Sequence, residues 1–248
     1  MKKHDKSDKR ERHHFAVTCA RVPEARPIAS TQFPPPPVTP GALISLELLL
    51  SNPVVDLAAI AQVIRDDIGL TLEVFRLSTA VGARPACEAS LLDVKTLVLL
   101  TGIDGLKALT QNASLFPGEH PSDFQVRSFR GYSTLARRTA MIAERLARRD
   151  WSTPSEDAYA AGLVWTLGTL PSILGWNIPE LSRLNHHKIG ELIAKSWGLP
   201  PVLVDVVRGD RRVCPGFSRI LLDLASRAHV YALAADTEFK PEAVALCF

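Results

Sequence analysis

The chain has 248 residues, of which 46% are hydrophobic and 6% aromatic, so it is long enough to bury the core of one large domain or two modest ones. Its formal net charge of +3 is supplied by the first dozen residues, where six Lys or Arg oppose three Asp or Glu, and the remainder is near neutral. This balance leaves no electrostatic footprint for nucleic acid outside the N-terminal arm, so a nucleic-acid partner is not expected.

Residues 1–33 are rich in charge and have poor periodicity, which predicts a disordered leader. The leader ends in Phe33-Pro-Pro-Pro-Pro-Val38, where four consecutive prolines predict a short polyproline II segment. We interpret this segment as a stiff entry into the folded domain, and the alternative is a docking site for a proline-recognition module.

Apolar residues recur at helical spacing throughout residues 39–116. Thr39 is predicted to cap the first helix and Asp56 the second. After a third helix, Ser90-Leu-Leu-Asp93 resembles a capping box that opens a fourth. The fourth helix is predicted to end at Gly102, and a fifth helix to follow it directly.

A loop at residues 116–123 is predicted to precede one long helix from Phe124 to Arg149. One face of this helix carries Ala136, Ala140, Ala143 and Ala147. Another face carries Arg137, Arg138, Arg145, Arg148 and Arg149. Such a run of arginines is typical of a solvated face, and the alternative is a patch for an anionic ligand.

The longest apolar run extends from Ala158 to Leu174 and predicts a buried helix with Ser155 as its cap. Small residues recur where a neighbouring helix could approach closely. Because the run contains no His, Asp, Glu, Cys or Lys, it offers no general base and no metal ligand beyond hydroxyl groups.

Further helices are predicted at residues 188–197, 200–208 and 217–235, and no alternating strand pattern exceeds four residues. The fold class is therefore all-α. We predict a multi-helix bundle in two helical halves, followed by a tail: the halves are about 34–116 and about 122–238, and the tail is 239–248.

The cysteines and the apolar runs indicate the cellular compartment in which the protein is expected. Four widely separated cysteines favour individual buried thiols over disulfides or a zinc site: Cys19, Cys87, Cys214 and Cys247. No run is long enough for a signal-peptide core or a membrane span, so we expect a cytoplasmic protein with no membrane partner.

Several strings resemble the HDOD domain family, bacterial regulatory modules related in fold to the HD metal-dependent phosphohydrolases. Two lie in the N-terminal half: Ile64-Arg-Asp-Asp-Ile-Gly-Leu-Thr71, where Asp67 takes the place of the family aspartate, and Val74-Phe-Arg-Leu-Ser-Thr-Ala80. Two lie in the C-terminal half: Ala158 to Leu170, similar to the family's Ala-Gly-Leu-Leu-His-Asp-Ile-Gly-x-Leu, and His186-His-Lys-Ile-Gly190. The resemblance covers about residues 33–235 and implies an HD-like helical bundle.

The resemblance also implies where a catalytic HD enzyme would hold its metal ions, with an early His, an adjacent His-Asp pair and a late Asp. In this sequence those positions correspond to Tyr132, the pair Trp165-Thr166, and Ser226. An indole cannot ligate a metal ion and would fill the volume where the ion sits. We therefore expect no catalytic residue, no metal and no cofactor.

His186 is retained, and we interpret it as a helix cap or as a hydrogen-bonding residue at the edge of the core. The neighbouring His187 is predicted to be exposed. With Asp67, Arg137 and Arg138, His186 forms the predicted lining of a cleft for a ligand or a partner.

The first functional hypothesis is a non-catalytic HDOD-like module for signal transduction or regulation, which binds a partner protein or a small ligand in the cleft between its two halves. The resemblance implies unidentified signalling partners, including components of cyclic-dinucleotide pathways.

The second hypothesis is a residual metal-dependent phosphohydrolase acting on nucleotides or cyclic dinucleotides. It would draw its metal ligands from other positions, such as His186, Asp210 and Asp223. A third hypothesis is nucleic-acid binding through the basic residues 1–14, which would depend steeply on salt.

Overall fold

The computed structural model describes residues 33–54, 56–80, 92–116, 121–150 and 153–235, and within these ranges the fold is almost entirely helical, as predicted. The first part of the chain contains β1 (Pro37–Val38), α1 (Pro40–Ser51), α2 (Leu57–Asp66), α3 (Ile68–Ala80), α4 (Val94–Asn112) and β2 (Ser114–Leu115). The second part contains α5 (Asp123–Asp150), α6 (Ser155–Val164), α7 (Leu170–Leu174), α8 (His186–Ser196), α9 (Pro201–Arg208) and α10 (Gly216–Ala234). Nearly all of the predicted leader and the whole predicted tail lie outside the described residues.

Helices α1 to α4 pack on one another around a short pair of strands. Strand β1 runs parallel to β2, with Pro37 opposite Ser114 and Val38 opposite Leu115. Gly69 in α3 lies directly against the Pro37 carbonyl group, where a Cβ atom would collide with the backbone. The entry into α1 and the exit from α4 are thereby held together above α3.

The predicted caps of the first two helices have different outcomes. Asp56 caps α2 as predicted, because its carboxylate accepts hydrogen bonds from the amides of Ala58 and Ala59. Thr39 occupies the N-cap position of α1, with Pro40 at the first helical position, as predicted, but its side chain makes no capping hydrogen bond. The Thr39 hydroxyl group donates instead to the Asp67 carboxylate at 2.6 Å, which ties the start of α1 to the junction of α2 and α3.

Helix α4 begins later and runs further than the sequence predicted. Asp93 is its cap and accepts hydrogen bonds from the amides of Lys95 and Thr96, whereas Ser90 lies outside the described residues. At Gly102 the helix is interrupted by a φ angle of 67°, a left-handed conformation that favours glycine. The predicted helix boundary is therefore a kink within one element.

The predicted long helix is present as α5, and its alanine face packs against α6. Ala136, Ala140, Ala143 and Ala147 are completely buried. A Cβ atom added to Gly162 of α6 would lie 2.7 Å from the Ala140 Cα atom. Small residues on both helices therefore allow their backbones to touch, as the sequence predicted.

The apolar run after Pro154 does not form the single helix that was predicted. Helix α6 ends at Val164, and a 3-10 turn at Leu167–Thr169 leads into the short α7. Ser155 is the first residue of α6 rather than its cap. In the turn, Gly168 lies against the His186 carbonyl group, where a Cβ atom would collide, so this turn is fixed against the start of α8.

Both parts of the fold contribute to one continuous hydrophobic core. Cys214 is buried and not in a disulfide, as predicted, and the other three cysteines lie outside the described residues. None of the described helices combines the length and the apolar character needed to cross a bilayer.

Candidate functional site

The four residues that the family resemblance aligns with the metal ligands of an HD enzyme lie on α5, α10 and the segment after α6. Tyr132 and Thr166 are buried, whereas Trp165 and Ser226 are half-buried. Burial raises the pKa of the Tyr132 phenol well above its usual value, and the Thr166 hydroxyl group lowers it by a smaller amount. Neither of these two hydroxyl oxygens has a hydrogen bond of ordinary geometry within the described part of the chain. Two neutral hydroxyl groups therefore occupy an apolar setting.

Three histidines, here called the histidine cluster, gather beside these residues: His186, His187 and His229. The rings of His186 and His187 have centroids 4.0 Å apart, and the Trp165 ring meets His187 edge to face at 5.1 Å. Burial and the nearby imidazoles of His186 and His187 lower the pKa of His229 to about 4. Burial and His187 also lower the pKa of His186. Of the two interpretations of His186, the helix cap is wrong because Asn185 caps α8, while its half-buried position agrees with the edge of the core.

Hydrogen bonds fix the ring orientation of two members of the cluster. His187 Nδ1 lies 3.0 Å from the Val207 carbonyl oxygen, which can only accept, so Nδ1 carries the proton. The Thr139 hydroxyl group donates to the Leu135 carbonyl group at 2.9 Å and therefore accepts from His229 Nδ1 at 3.4 Å. In their neutral forms both rings present Nε2 as an acceptor. The prediction of an exposed His187 is wrong, because its ring is half-buried.

This arrangement does not fit the metal site of an HD hydrolase. Across the described ranges, no group of three or more His, Cys, Asp and Glu side chains is placed so that it could hold a metal ion. The Trp165 indole has no lone pair to donate, and a neutral Thr166 hydroxyl group is a far weaker ligand than a carboxylate. The donor set that metal-dependent hydrolysis requires is not assembled here.

The other ligands that a residual hydrolase could use are committed elsewhere. Asp210 accepts a hydrogen bond from the Arg212 amide at 2.9 Å within its own turn. Asp223 forms an ion pair with Arg211 at 2.5 Å. Neither carboxylate forms a metal-holding group with His186 in the described structure.

A cleft of about 610 Å³ lies between α2 and the pair α5 and α6. Arg65 of α2 crosses it, pairing with Glu144 at 3.1 Å and with Glu156, and its guanidinium group lies 4.1 Å from the centre of the Tyr159 ring. The Tyr159 hydroxyl group donates to the Arg65 carbonyl oxygen at 2.8 Å. Burial raises the pKa of Glu156, and the Arg65 charge opposes this shift. We call these four residues the Arg65 network.

The predicted cleft residues are distributed over different places. Arg137 lines the cleft and pairs with Asp66 at 2.6 Å. Asp67 is buried and structural, because it accepts the Leu70 amide at 2.9 Å in addition to the Thr39 hydroxyl group. Arg138 is half-buried on α5, and His186 belongs to the histidine cluster.

The sequence did not predict His187, His229 or the four residues of the Arg65 network as members of a site. His229 has no short-range spacing to the other two histidines, so only the packing of α10 on α5 reveals it. Arg65 lies beside Asp66 and Asp67 in one of the strings that resemble the HDOD family. That position marked the segment as informative, but an arginine by itself does not indicate a site.

Comparison with known proteins agrees with this architecture. Residues 37–174 match the HDOD domain family. An uncharacterized protein from Treponema pallidum (strain Nichols) is 25% identical over 193 residues, which cover 69% of this chain and 37% of that protein. The chain therefore spans well under half the length of this relative.

Two solved structures share the fold at low sequence identity. The MmoQ response regulator from Methylococcus capsulatus str. Bath has a TM-score of 0.63 and 18% identity, covering 82% of this chain and 89% of that chain. A fragment of the same regulator gives a TM-score of 0.60 at 19% identity, with 83% and 87% coverage.

The family match covers more than half of the chain, and the all-α bundle agrees with it. The protein belongs to the HDOD domain family.

Proposed function

We propose that this protein is a non-catalytic regulatory module that acts in signal transduction by binding a partner protein. The observation that carries the proposal is the composition of the former metal position. Trp165 and Thr166 stand where an HD enzyme has its His-Asp pair, and Tyr132 contributes a buried neutral phenol. The description of MmoQ as a response regulator also favours a regulatory role.

Hydrolysis of a phosphoester by an HD enzyme depends on a metal ion that activates water and neutralises charge on the phosphoryl oxygens. The residues around Trp165 supply hydroxyl groups and imidazoles but no carboxylate in a metal-holding arrangement within the described ranges. The helical framework of an HD enzyme without the metal ligands that hydrolysis needs is the combination expected of a binding module.

The proposed absence of catalysis is tested by incubating the purified chain with bis(p-nitrophenyl) phosphate in the presence of Mn²⁺, Fe²⁺ or Zn²⁺. We expect a rate equal to that of the same metal ion in buffer. A saturable, protein-dependent rate with any of these metals would overturn the proposal.

The cleft crossed by Arg65 favours a second candidate, a small-molecule ligand. Its volume of about 610 Å³ falls within the range of small-ligand pockets, and it contains both charged and aromatic side chains. Titration with a cyclic dinucleotide, followed by Tyr and Trp fluorescence, tests this candidate. Saturable quenching that is lost in Arg137→Ala would support a ligand of this class, and an unchanged spectrum would exclude that ligand.

A further inference from the structure

The outer face of α5 is unusually rich in arginine. At 100° per residue, all seven arginines of the helix fall within an arc of roughly 120°, opposite the buried alanine face. They are Arg127, Arg130, Arg137, Arg138, Arg145, Arg148 and Arg149. We call this surface the arginine face.

Most of this positive charge is not balanced on the helix itself. Arg137 and Arg148 form ion pairs with Asp66 and Glu144, both at 2.6 Å. Four exposed arginines take part in no ion pair within the described part of the chain: Arg127, Arg130, Arg145 and Arg149. Spacings of three and four residues bring several of these charges close together, and each such pair destabilises a helix slightly.

Helix stability does not account for the arrangement. Arg148 and Arg149 in the last turn are favoured by the helix dipole, but Arg127 lies near the N-terminal end, where positive charge gains nothing from it. The helix also contains no lysine, although lysine would solvate an exposed face equally well. All seven basic residues of the helix therefore present the planar guanidinium group, which can bind a carboxylate through two parallel hydrogen bonds.

Exposed apolar side chains interrupt the charged surface. Met141 is 44% exposed in the middle of the arginine face, and Phe124 is 64% exposed at its N-terminal end. Arg, Met and aromatic residues are enriched in protein–protein interfaces, whereas Lys is depleted. The composition of this face is therefore that of a protein interface rather than of an ordinary solvated helix.

We propose that the arginine face is the docking site of an acidic polypeptide segment of a partner protein. This inference rests on the proposed function and specifies the partner. From Arg127 to Arg149 the face is roughly 33 Å long, so it would accommodate about six turns of a helix carrying carboxylates along one side. Arg137, Met141 and Arg148 also line the cleft, which places a pocket for a partner side chain beside the charged surface.

A nucleic-acid strand is the competing occupant of a basic surface. Residues 13–248 contain equal numbers of basic and acidic residues, so the chain outside its first dozen residues has no net positive charge to favour a polyanion. The exposed Met141 side chain further favours a polypeptide, which can supply an apolar group to meet it.

The test uses the full chain and a fluorescently labelled helical peptide of about 22 residues with glutamates along one face and one central leucine. We expect saturable binding by fluorescence anisotropy that weakens as salt is raised. The charge-reversal variant Arg127→Glu/Arg130→Glu/Arg145→Glu should weaken the affinity about tenfold or more. These three side chains form no ion pair in the described structure, so their replacement should leave the fold intact.

The matched control is Arg183→Glu/Arg212→Glu/Arg227→Glu, which changes the net charge equally at exposed arginines outside α5. Its affinity should remain within about twofold of the parent protein, because long-range charge effects are screened. Equal weakening in both variants, equal binding of a peptide with Gln in place of Glu, or no binding would overturn the proposal. Tighter binding of a 22-nucleotide single strand than of the peptide would also overturn it. All of these failures leave the hydrolysis result, and hence the non-catalytic role, unaffected.

Discussion

Tyr132 brings a hydroxyl group into a part of the core where an HD enzyme would place a metal ligand. That oxygen lacks a hydrogen bond of ordinary geometry in the described structure, so the free-energy cost of burying it is not offset. Tyr159 offers a contrast within the same bundle, since its hydroxyl group donates to the Arg65 carbonyl oxygen. Tyr132 is therefore buried at a position that is not optimised for stability.

We predict that Tyr132→Phe changes the free energy of unfolding by less than about 0.5 kcal/mol or increases it, because no hydrogen bond is lost. The matched variant Tyr159→Phe should lose about 1 kcal/mol with its hydrogen bond. Urea denaturation of both variants provides the measurement. A loss of about 2 kcal/mol in Tyr132→Phe would show that its hydroxyl group has a partner after all.

His229 predicts a dependence of stability on pH. Its pKa in the folded protein is about 4, below the ordinary value of 6.5, so the unfolded chain binds more protons between these two values. The free energy of unfolding should therefore fall as the pH is lowered from 7 to 5. Glu191 does not contribute in this window, because hydrogen bonds from Lys188 and Lys195 outweigh its burial and hold its pKa at about 2.

The variant His229→Gln removes the titrating group while keeping a hydrogen-bonding side chain. From pH 7 to pH 5 the parent protein should lose about 2 kcal/mol more stability than this variant. Denaturation curves at pH 7, 6 and 5 give the difference. Parallel losses in the two proteins would mean that His229 is accessible to protons in the folded state.

Among the structural elements, the segment after α6 shows what sequence could and could not predict. Helical spacing predicted α5, and residue type predicted the cap at Asp56, because these features depend on neighbouring residues. The break of the apolar run at Val164 was not predicted, since all residues of that run are compatible with a buried helix. Helix α6 ends because of a tertiary contact. The turn that follows it must lie against the start of α8, and Gly168 permits that contact.

We predict that Gly168→Ala destabilises the protein by about 3 kcal/mol, because the added methyl group collides with the His186 carbonyl oxygen. Gly41→Ala is the control, since no atom lies near the site of its Cβ and alanine favours the helix. This control should gain up to about 1 kcal/mol. Thermal unfolding of the two variants tests the contrast, and similar melting temperatures would argue against a tight contact at Gly168.

For the molecule as a whole, the Arg65 network joins the first helices of the chain to the later ones across an open cleft. The sequence predicted two helical halves and a centre poor in metal ligands. It also predicted that four residues line a single cleft, whereas the structure distributes them over different places. Long-range pairs such as Arg65 with Glu144 have no signature in spacing, because they depend on how α2 and α5 are oriented in the bundle. The fold class could therefore be predicted from the sequence, whereas the residues of the cleft could be identified only from the structure.

Arg65→Ala would leave Glu156 without its cation in a partly buried setting, and Glu144 with Arg148 as its remaining partner. We expect a loss of about 2 kcal/mol in the free energy of unfolding, since an unpaired buried charge is costly. Arg211→Ala breaks an exposed ion pair and should cost no more than about 0.5 kcal/mol. Urea denaturation at low and high salt measures both, and equal losses would mean that the network contributes no more than a surface pair.

The proposed non-catalytic role predicts that the protein does not bind a metal ion tightly. The full chain, expressed with added Fe²⁺, Mn²⁺ and Zn²⁺ and then desalted, can be analysed for bound metal by mass spectrometry. The proposal that Trp165, Thr166 and Tyr132 replace the metal ligands predicts less than about 0.1 metal ion per chain. Close to one tightly bound ion per chain would contradict the account.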